Sequence, residues 1–148
     1  MKFILLLLTL MSTVQVIKGQ PKITETNLLY ADAMKRYSDI LSVKNDSFYF
    51  GDLNRYSDIL IDKNSVNKLN IINSEEIRKL SLKKSIIVCV IQPLRIDSTH
   101  LIVPITKFSV RTHGRNVNCI NQGGYMIYYA YDISEKMWKF SKAEMVGY

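Results

Sequence analysis

Apolar and polar positions alternate with a period of two in the last third of the chain, residues 123–148, which read GGYMIYYAYDISEKMWKFSKAEMVGY. Successive residues of a strand point to opposite faces, so Tyr125, Ile127, Tyr129 and Tyr131 share one face, and Trp138, Phe140 and Val146 share one on the following run. A four-residue loop at 133–136 sets Tyr131 opposite Trp138 and Tyr129 opposite Phe140, aromatic pairs that contribute about 0.2–1 kcal/mol each. The other face, with Tyr128, Ala130, Lys139 and Ser141, is polar enough to meet water. The pattern predicts a β-hairpin with an aromatic face that an upstream element must cover.

That cover is predicted at residues 24–41. Tyr30, Ala33, Met34, Tyr37, Ile40 and Leu41 fall at spacings of three and four, one side of a helix, while Asp32, Lys35, Arg36 and Asp39 take the other. Thr24 or Thr26 is positioned to cap its start. Residues 47–50 read as a short strand followed by a Gly51-Asp52 turn. The hexapeptide RYSDIL occurs twice, at 36–41 and 55–60. Its first copy ends the helical pattern, and its second, after the turn, is expected to be extended. Two copies fall short of the three repeats that a solenoid needs.

Residues 64–73 are rich in Asn and read as loop. Ser74-Glu75-Glu76 then opens a short helix to about Lys84, with Ser as the cap, acids in the first turn and Lys83 and Lys84 in the last, matching the helix dipole at both ends. The unbroken apolar run at 85–92 predicts a central strand buried on both faces. A turn at Asp97-Ser98 leads to a strand at 101–111, in which the apolar parity shifts between Ile105 and Phe108; a bulge near Pro104 or Thr106 accounts for that shift. Pro93 and Pro104 belong at edge-facing or bulged positions. His113-Gly114 turns into a strand at 115–120, and residues 121–124 turn into the final hairpin.

Residues 1–19 carry a positive start at Lys2, an apolar core from Phe3 to Met11 and small residues before Gly19. They read as a secretory signal peptide cleaved after Gly19, the apolar core being shorter than the roughly 20 residues of a membrane span; an uncleaved anchor is the rival reading. One domain at 20–148 follows, with no transmembrane segment expected in it. The chain is 47% apolar with a formal charge of +7. Taking Lys2 and Lys18 from its 20 basic residues leaves 18 against 13 acidic ones, scattered without a cluster. Nucleic acid is therefore not an expected partner. Export to the periplasm or the medium would let Cys89 and Cys119 close a disulfide, although Cys89, inside SIIVCVI, equally suits a buried thiol.

No spacing points to a catalytic group, a metal site or a cofactor. There is no CxxC, no P-loop and no GxGxxG, and Gln122-Gly123-Gly124 reads as a turn. The surface candidates for a protein, peptide or glycan ligand are Tyr128 and the basic residues Lys139 and Lys142. His100 and His113 are the candidates of the rival reading, a small secreted enzyme with a pocket between helix and sheet.

From about residue 74 the chain has a short basic helix, an apolar strand and a meander closing on YDISEKMWKFSKAEMVGY. In this it resembles small exported α+β proteins of unassigned function common in Bacteroidetes bacteria. The order of a helix followed by a curved sheet is also similar to the cystatin-like or nuclear-transport-factor-like architecture, which implies a pocket between helix and sheet. The expectation is an α+β fold: an antiparallel sheet of four to six strands with a C-terminal meander, packed on one face by the N-terminal helix. An all-β barrel with a detached helix is the runner-up. In function, the expectation is an exported, non-enzymatic binding module.

Overall fold

The computed structural model describes residues 23–42, 47–51 and 69–147. The expected signal peptide and the second RYSDIL copy lie outside them. Helix α1, Ile23–Ser42, is followed by strands β1, Phe48–Gly51, and β2, Ile71–Ile72, then by helix α2, Ser74–Lys83. Strands β3, Ile86–Ile91, β4, Arg95–Asp97, β5, His100–His113, β6, Asn116–Asp132, and β7, Met137–Val146, complete the chain. The seven strands form one sheet in the order β2-β1-β3-β5-β6-β7, with β4 also beside β5. The fold is α+β, as the patterning predicts.

The sheet is mixed, which corrects the all-antiparallel expectation: β1 runs parallel to both β2 and β3. Parallel neighbours need long crossovers. The stretch between Gly51 and Ile86, which contains β2 and α2, is long enough to supply them. From β3 onward the connections are short and every pairing is antiparallel.

Two helices cover opposite faces of this sheet. On the α1 side, Leu29, Ala33, Met34, Tyr37 and Leu41 pack against Phe50, Cys89, Leu101, Val103, Ile105, Ile127 and Tyr129. On the other side, Ile77 of α2 packs against Ile86, Val88, Val90 and Val110. Each large apolar side chain so buried contributes about 1.5–3 kcal/mol. Strand β3 feeds both cores, its odd residues one and its even residues the other, which is why its sequence shows no alternation.

The same arrangement explains the parity shift in β5. Leu101, Val103 and Ile105 lie under α1, whereas Phe108 and Val110 lie on the α2 side. The strand itself is regular; the face that is covered changes. The extra residue expected near Thr106 belongs to the partner strand, because Thr106 pairs with Gly124 and Phe108 with Asn121. Residues 121–124 are thus a bulge within one 17-residue strand, and the expected turn is absent. Gly123 adopts φ +79°, and Asn121 Oδ1 accepts its N–H at 2.8 Å. Pro104 lies opposite Gln92, just past the end of β3: its carbonyl accepts the Gln92 N–H at 2.9 Å, and its missing donor faces the same residue, so the proline costs the sheet only the last bond of the β3–β5 ladder.

Two caps differ from expectation. Thr24 and Thr26 lie within α1. Asn73, not Ser74, caps α2: its side chain accepts from Glu76 N, and the Glu76 carboxylate accepts from Asn73 N, both at 2.9 Å, a reciprocal capping box. Behind α2, the buried hydroxyls of Ser81 and Thr112 bond each other at 2.6 Å. The hairpin pairs Tyr131 with Trp138 and Tyr129 with Phe140, as its pattern predicts. A bulge at Ser141 then changes the parity of β7, so Ala143, opposite Ile127, takes the inward face in place of Val146.

A Cβ on Gly124 would collide with the Ile105 carbonyl oxygen, whereas one on Gly114, at φ +60°, meets nothing within 4 Å. Gly124→Ala is therefore expected to cost about 1–3 kcal/mol by overpacking against backbone. Gly114→Ala should cost only about 1 kcal/mol, from its left-handed conformation. Urea midpoints of the two variants check the ranking.

Candidate functional site

Helix α1 does not close fully over the hairpin. Between its outer edge and β7 lies an open groove of about 530 Å³ lined by Glu25, Leu28, Asp32 and Arg36 from the helix and by Tyr129, Met137, Trp138 and Phe140 from the sheet. Leu28 lies outside the apolar stripe of α1 and is 62% exposed, with Met137 at 46% and Phe140 at 39%. These side chains leave an apolar rim in water. Trp138 packs edge-on to Tyr131, the ring centroids 5.2 Å apart.

Three polar groups of the groove, Asp32, Arg36 and Tyr129, are joined to one another. Arg36 Nε donates to Asp32 Oδ2 at 2.6 Å, a pair one helical turn apart. The Tyr129 hydroxyl, reaching up from the sheet, donates to the same oxygen at 2.8 Å and lies 3.3 Å from the Leu29 carbonyl oxygen. The Arg36 guanidinium lies 3.9 Å above the Phe140 ring centroid, a cation–π contact that ties the helix to the edge strand. Burial, and after it the Asp32 carboxylate, pushes the Tyr129 hydroxyl far above the ordinary tyrosine value. At neutral pH it is a fixed donor rather than an acid.

Beneath the helix, Tyr37 stands at the centre of an aromatic cluster, 5.7 Å from Tyr125, 6.1 Å from Phe50 and 6.3 Å from Phe48, each pair near edge-on. Burial, with Cys89 alongside, raises its hydroxyl strongly. Burial also pushes the Cys89 thiol up to about 12. A thiol so protonated is a core residue and a poor nucleophile.

The possible disulfide is not formed: both cysteines are free, Cys89 buried, as the alternative reading of it as a core thiol has it, and Cys119 exposed. They sit on β3 and β6, with β5 between them. Cys89 faces the α1 core, while Cys119 pairs with Val110, which faces α2. Two strand spacings make about 9.6 Å, beyond the Cα span that a disulfide bridges.

Tyr128 and Lys142 do come together, on the sheet face opposite the groove. The Lys142 ammonium lies 4.8 Å from the Tyr128 ring centroid and bonds Glu144 at 2.6 Å. Lys139 is drawn off to the hairpin loop, where it pairs with Asp132 at 2.8 Å and Glu135 at 2.7 Å. Asp132 also organises that loop, its Oδ1 accepting from the backbone of Ser134 and Glu135. Lys139, and then these donors, hold its carboxyl far below the usual range. His100, partly exposed, bonds Thr99 Oγ1 at 2.8 Å and stacks edge-on to Tyr128, and His113 is exposed at the far end of β5. Neither lines the groove.

Sequence reasoning raised a pocket between helix and sheet only in the rival reading and did not place its lining, because the walls come from residues some 100 positions apart. Its one local signal was Leu28, an apolar residue off the helix stripe. Among the described residues no group of three His, Cys, Asp or Glu is arranged to hold a metal ion, and no helix is long and apolar enough to cross a membrane. No known protein family, curated protein or solved structure matches the chain.

The raised hydroxyls and thiol carry a pH signature. Tyr129, Tyr37 and Cys89 keep protons in the folded state that the unfolded chain releases above about pH 8.5 for cysteine and pH 10 for tyrosine. Their contribution is fully present below those values and is lost as pH rises through and beyond them. The denaturation midpoint should hold steady from pH 7 to 8 and fall progressively above about 9, with a shallower fall in Tyr129→Phe and Tyr37→Phe. A midpoint unchanged up to pH 11 would contradict the burial of these groups.

Proposed function

We propose that this protein is an exported, non-catalytic binding module that receives an apolar side chain of a protein or peptide partner in the groove between α1 and β7. The observation that carries the reading is the combination of an exposed apolar rim, Leu28, Met137 and Phe140, with Asp32, Arg36 and Tyr129 already satisfied by one another. Solvent-facing apolar residues of this kind gain from burial. Asp32, accepting from both Arg36 and Tyr129, has a positioning role within the fold. The enzyme reading rests on His100 and His113, and both stand outside the groove. Export is supported by the leader's charge, length and small-residue end.

Trp138 is the chain's single tryptophan and lines the groove, so its emission reports occupancy. Peptides selected from a random library on the immobilised protein are expected to share an aromatic or aliphatic anchor and to shift Trp138 fluorescence on binding. Leu28→Glu and Phe140→Ala should each weaken that binding at least about tenfold, a loss of about 1.4 kcal/mol, while far-ultraviolet circular dichroism stays unchanged. Peptides that bind without moving Trp138 emission, or that bind both variants as tightly as the native protein, would refute the reading. The mass of the exported product's N-terminus tests the address, with cleavage expected next to Gly19.

A further inference from the structure

Strand β6 runs from Asn116 to Asp132, but β7 pairs only with its second half, from Gly124 onward. Residues 116–122 bond β5 on one side and no described strand on the other. The direction of their free backbone groups follows from the pleat. Because Pro104 directs its carbonyl toward Gln92, Pro104 and every second residue after it on β5 turn their backbone groups toward β3. Phe108, Val110 and Thr112 belong to that set, and their partners on β6 are Asn121, Cys119 and Val117. These three therefore direct N–H and C=O away from β5, into the open side.

Open edges invite other strands, and proteins ordinarily guard them with lysines, prolines, bulges or short length. Strand β7 has Lys139, Lys142 and the Ser141 bulge. Strand β2 has two residues, and β4 has three, including Arg95 and Asp97. Residues 116–122, NVNCINQ, contain no charge and no proline, and two of their apolar side chains, Val117 and Ile120, are exposed, Ile120 by 65%. The segment has the composition that pairs with its own kind.

We propose that the protein forms a two-fold dimer by antiparallel pairing of this β6 edge with the same edge of a second copy, the axis passing through Cys119. In that register Val117 pairs with the partner's Asn121, Cys119 with the partner's Cys119, and Asn121 with the partner's Val117. The outward groups at 117, 119 and 121 are spaced evenly about the axis, so each copy satisfies those of the other and the two sheets become continuous. No like charges meet across the axis, whereas the excess of basic over acidic residues opposes contact over most of the surface.

Hydrogen exchange and solution mass under reducing conditions test this together. The native protein is expected at twice the monomer mass, with the amides of Val117, Cys119 and Asn121 exchanging slowly, as those of the β5-bonded residues 116, 118 and 120 do in any state. Val117→Lys and Asn121→Lys place a charge on the edge and should each shift the protein to monomer mass and release those three amides. Cys119→Ser should remain a dimer. With oxidised glutathione, the two opposed Cys119 thiols of the native dimer should form an intermolecular disulfide. The two protons and two electrons they lose reduce the glutathione disulfide to two glutathione thiols, and buried Cys89 takes no part. A monomer at all concentrations, which is also the result if the edge serves a foreign strand, would overturn the proposal. So would a dimer that survives both lysine substitutions, or rapid exchange at the three amides of the native protein.

Discussion

The structure depends on how helix α1 is held against one face of the sheet. The hold is hydrophobic in bulk, through Leu29, Ala33, Met34, Tyr37 and Leu41, but apolar contact alone leaves a helix free to slide and rotate. Directional bonds remove that freedom. The Tyr129 hydroxyl reaches from the sheet to Asp32 and Leu29, and the Tyr30 hydroxyl accepts the Leu94 N–H at 2.8 Å, fixing the loop between β3 and β4 beneath the helix. Arg36, anchored by Asp32, lies over Phe140 on the edge strand. Among the described residues no buried side-chain polar atom lacks a partner, so the interface carries polar groups without their desolvation cost standing uncompensated.

From that hold follows the placement of the groove. The bonded residues, Asp32 and Arg36, sit at the margin of α1, so the helix seals the sheet up to Tyr129 and leaves Trp138, Phe140 and Met137 on the far side of the seal. The second helix works differently. Its side of the sheet is a smaller core with the Ser81–Thr112 hydroxyl pair as its polar link. The end of the sheet near Asn116 and Val117 lies past the β7 pairing, with no described strand beside it there.

Much of this was legible in the sequence wherever pattern is local. The register of Tyr129 with Phe140 and of Tyr131 with Trp138 follows from alternation and a four-residue loop, and both pairs are present. In the helical stripe Tyr30, Ala33, Met34, Tyr37 and Leu41 are likewise buried, with Ile40 only partly so. What the sequence did not convey is long-range. The parallel strand β1 depends on a crossover whose path no periodicity reveals. The Ile105-to-Phe108 parity shift has two physical causes, a bulge or a change of covered face, and only the position of α2 separates them. Gln122-Gly123-Gly124 has the composition of a turn, yet the same backbone freedom serves a bulge where Gly124 approaches the Ile105 carbonyl. Of the surface candidates, Tyr128 and Lys142 meet on the face opposite the groove, with Glu144 already neutralising the cation. The groove's polar members, Asp32 and Tyr129, were seen only as a helix surface residue and a strand core residue.

A double-mutant cycle between Asp32 and Tyr129, read by denaturant unfolding of Asp32→Ala, Tyr129→Phe and the combined variant, tests the hold on α1 most directly. A charge-assisted bond that fixes the helix predicts a coupling of about 1 kcal/mol or more, with the double variant losing clearly less stability than the two single losses added together. Additive losses, with no coupling, would contradict the account and leave apolar packing alone as the force that seats the helix.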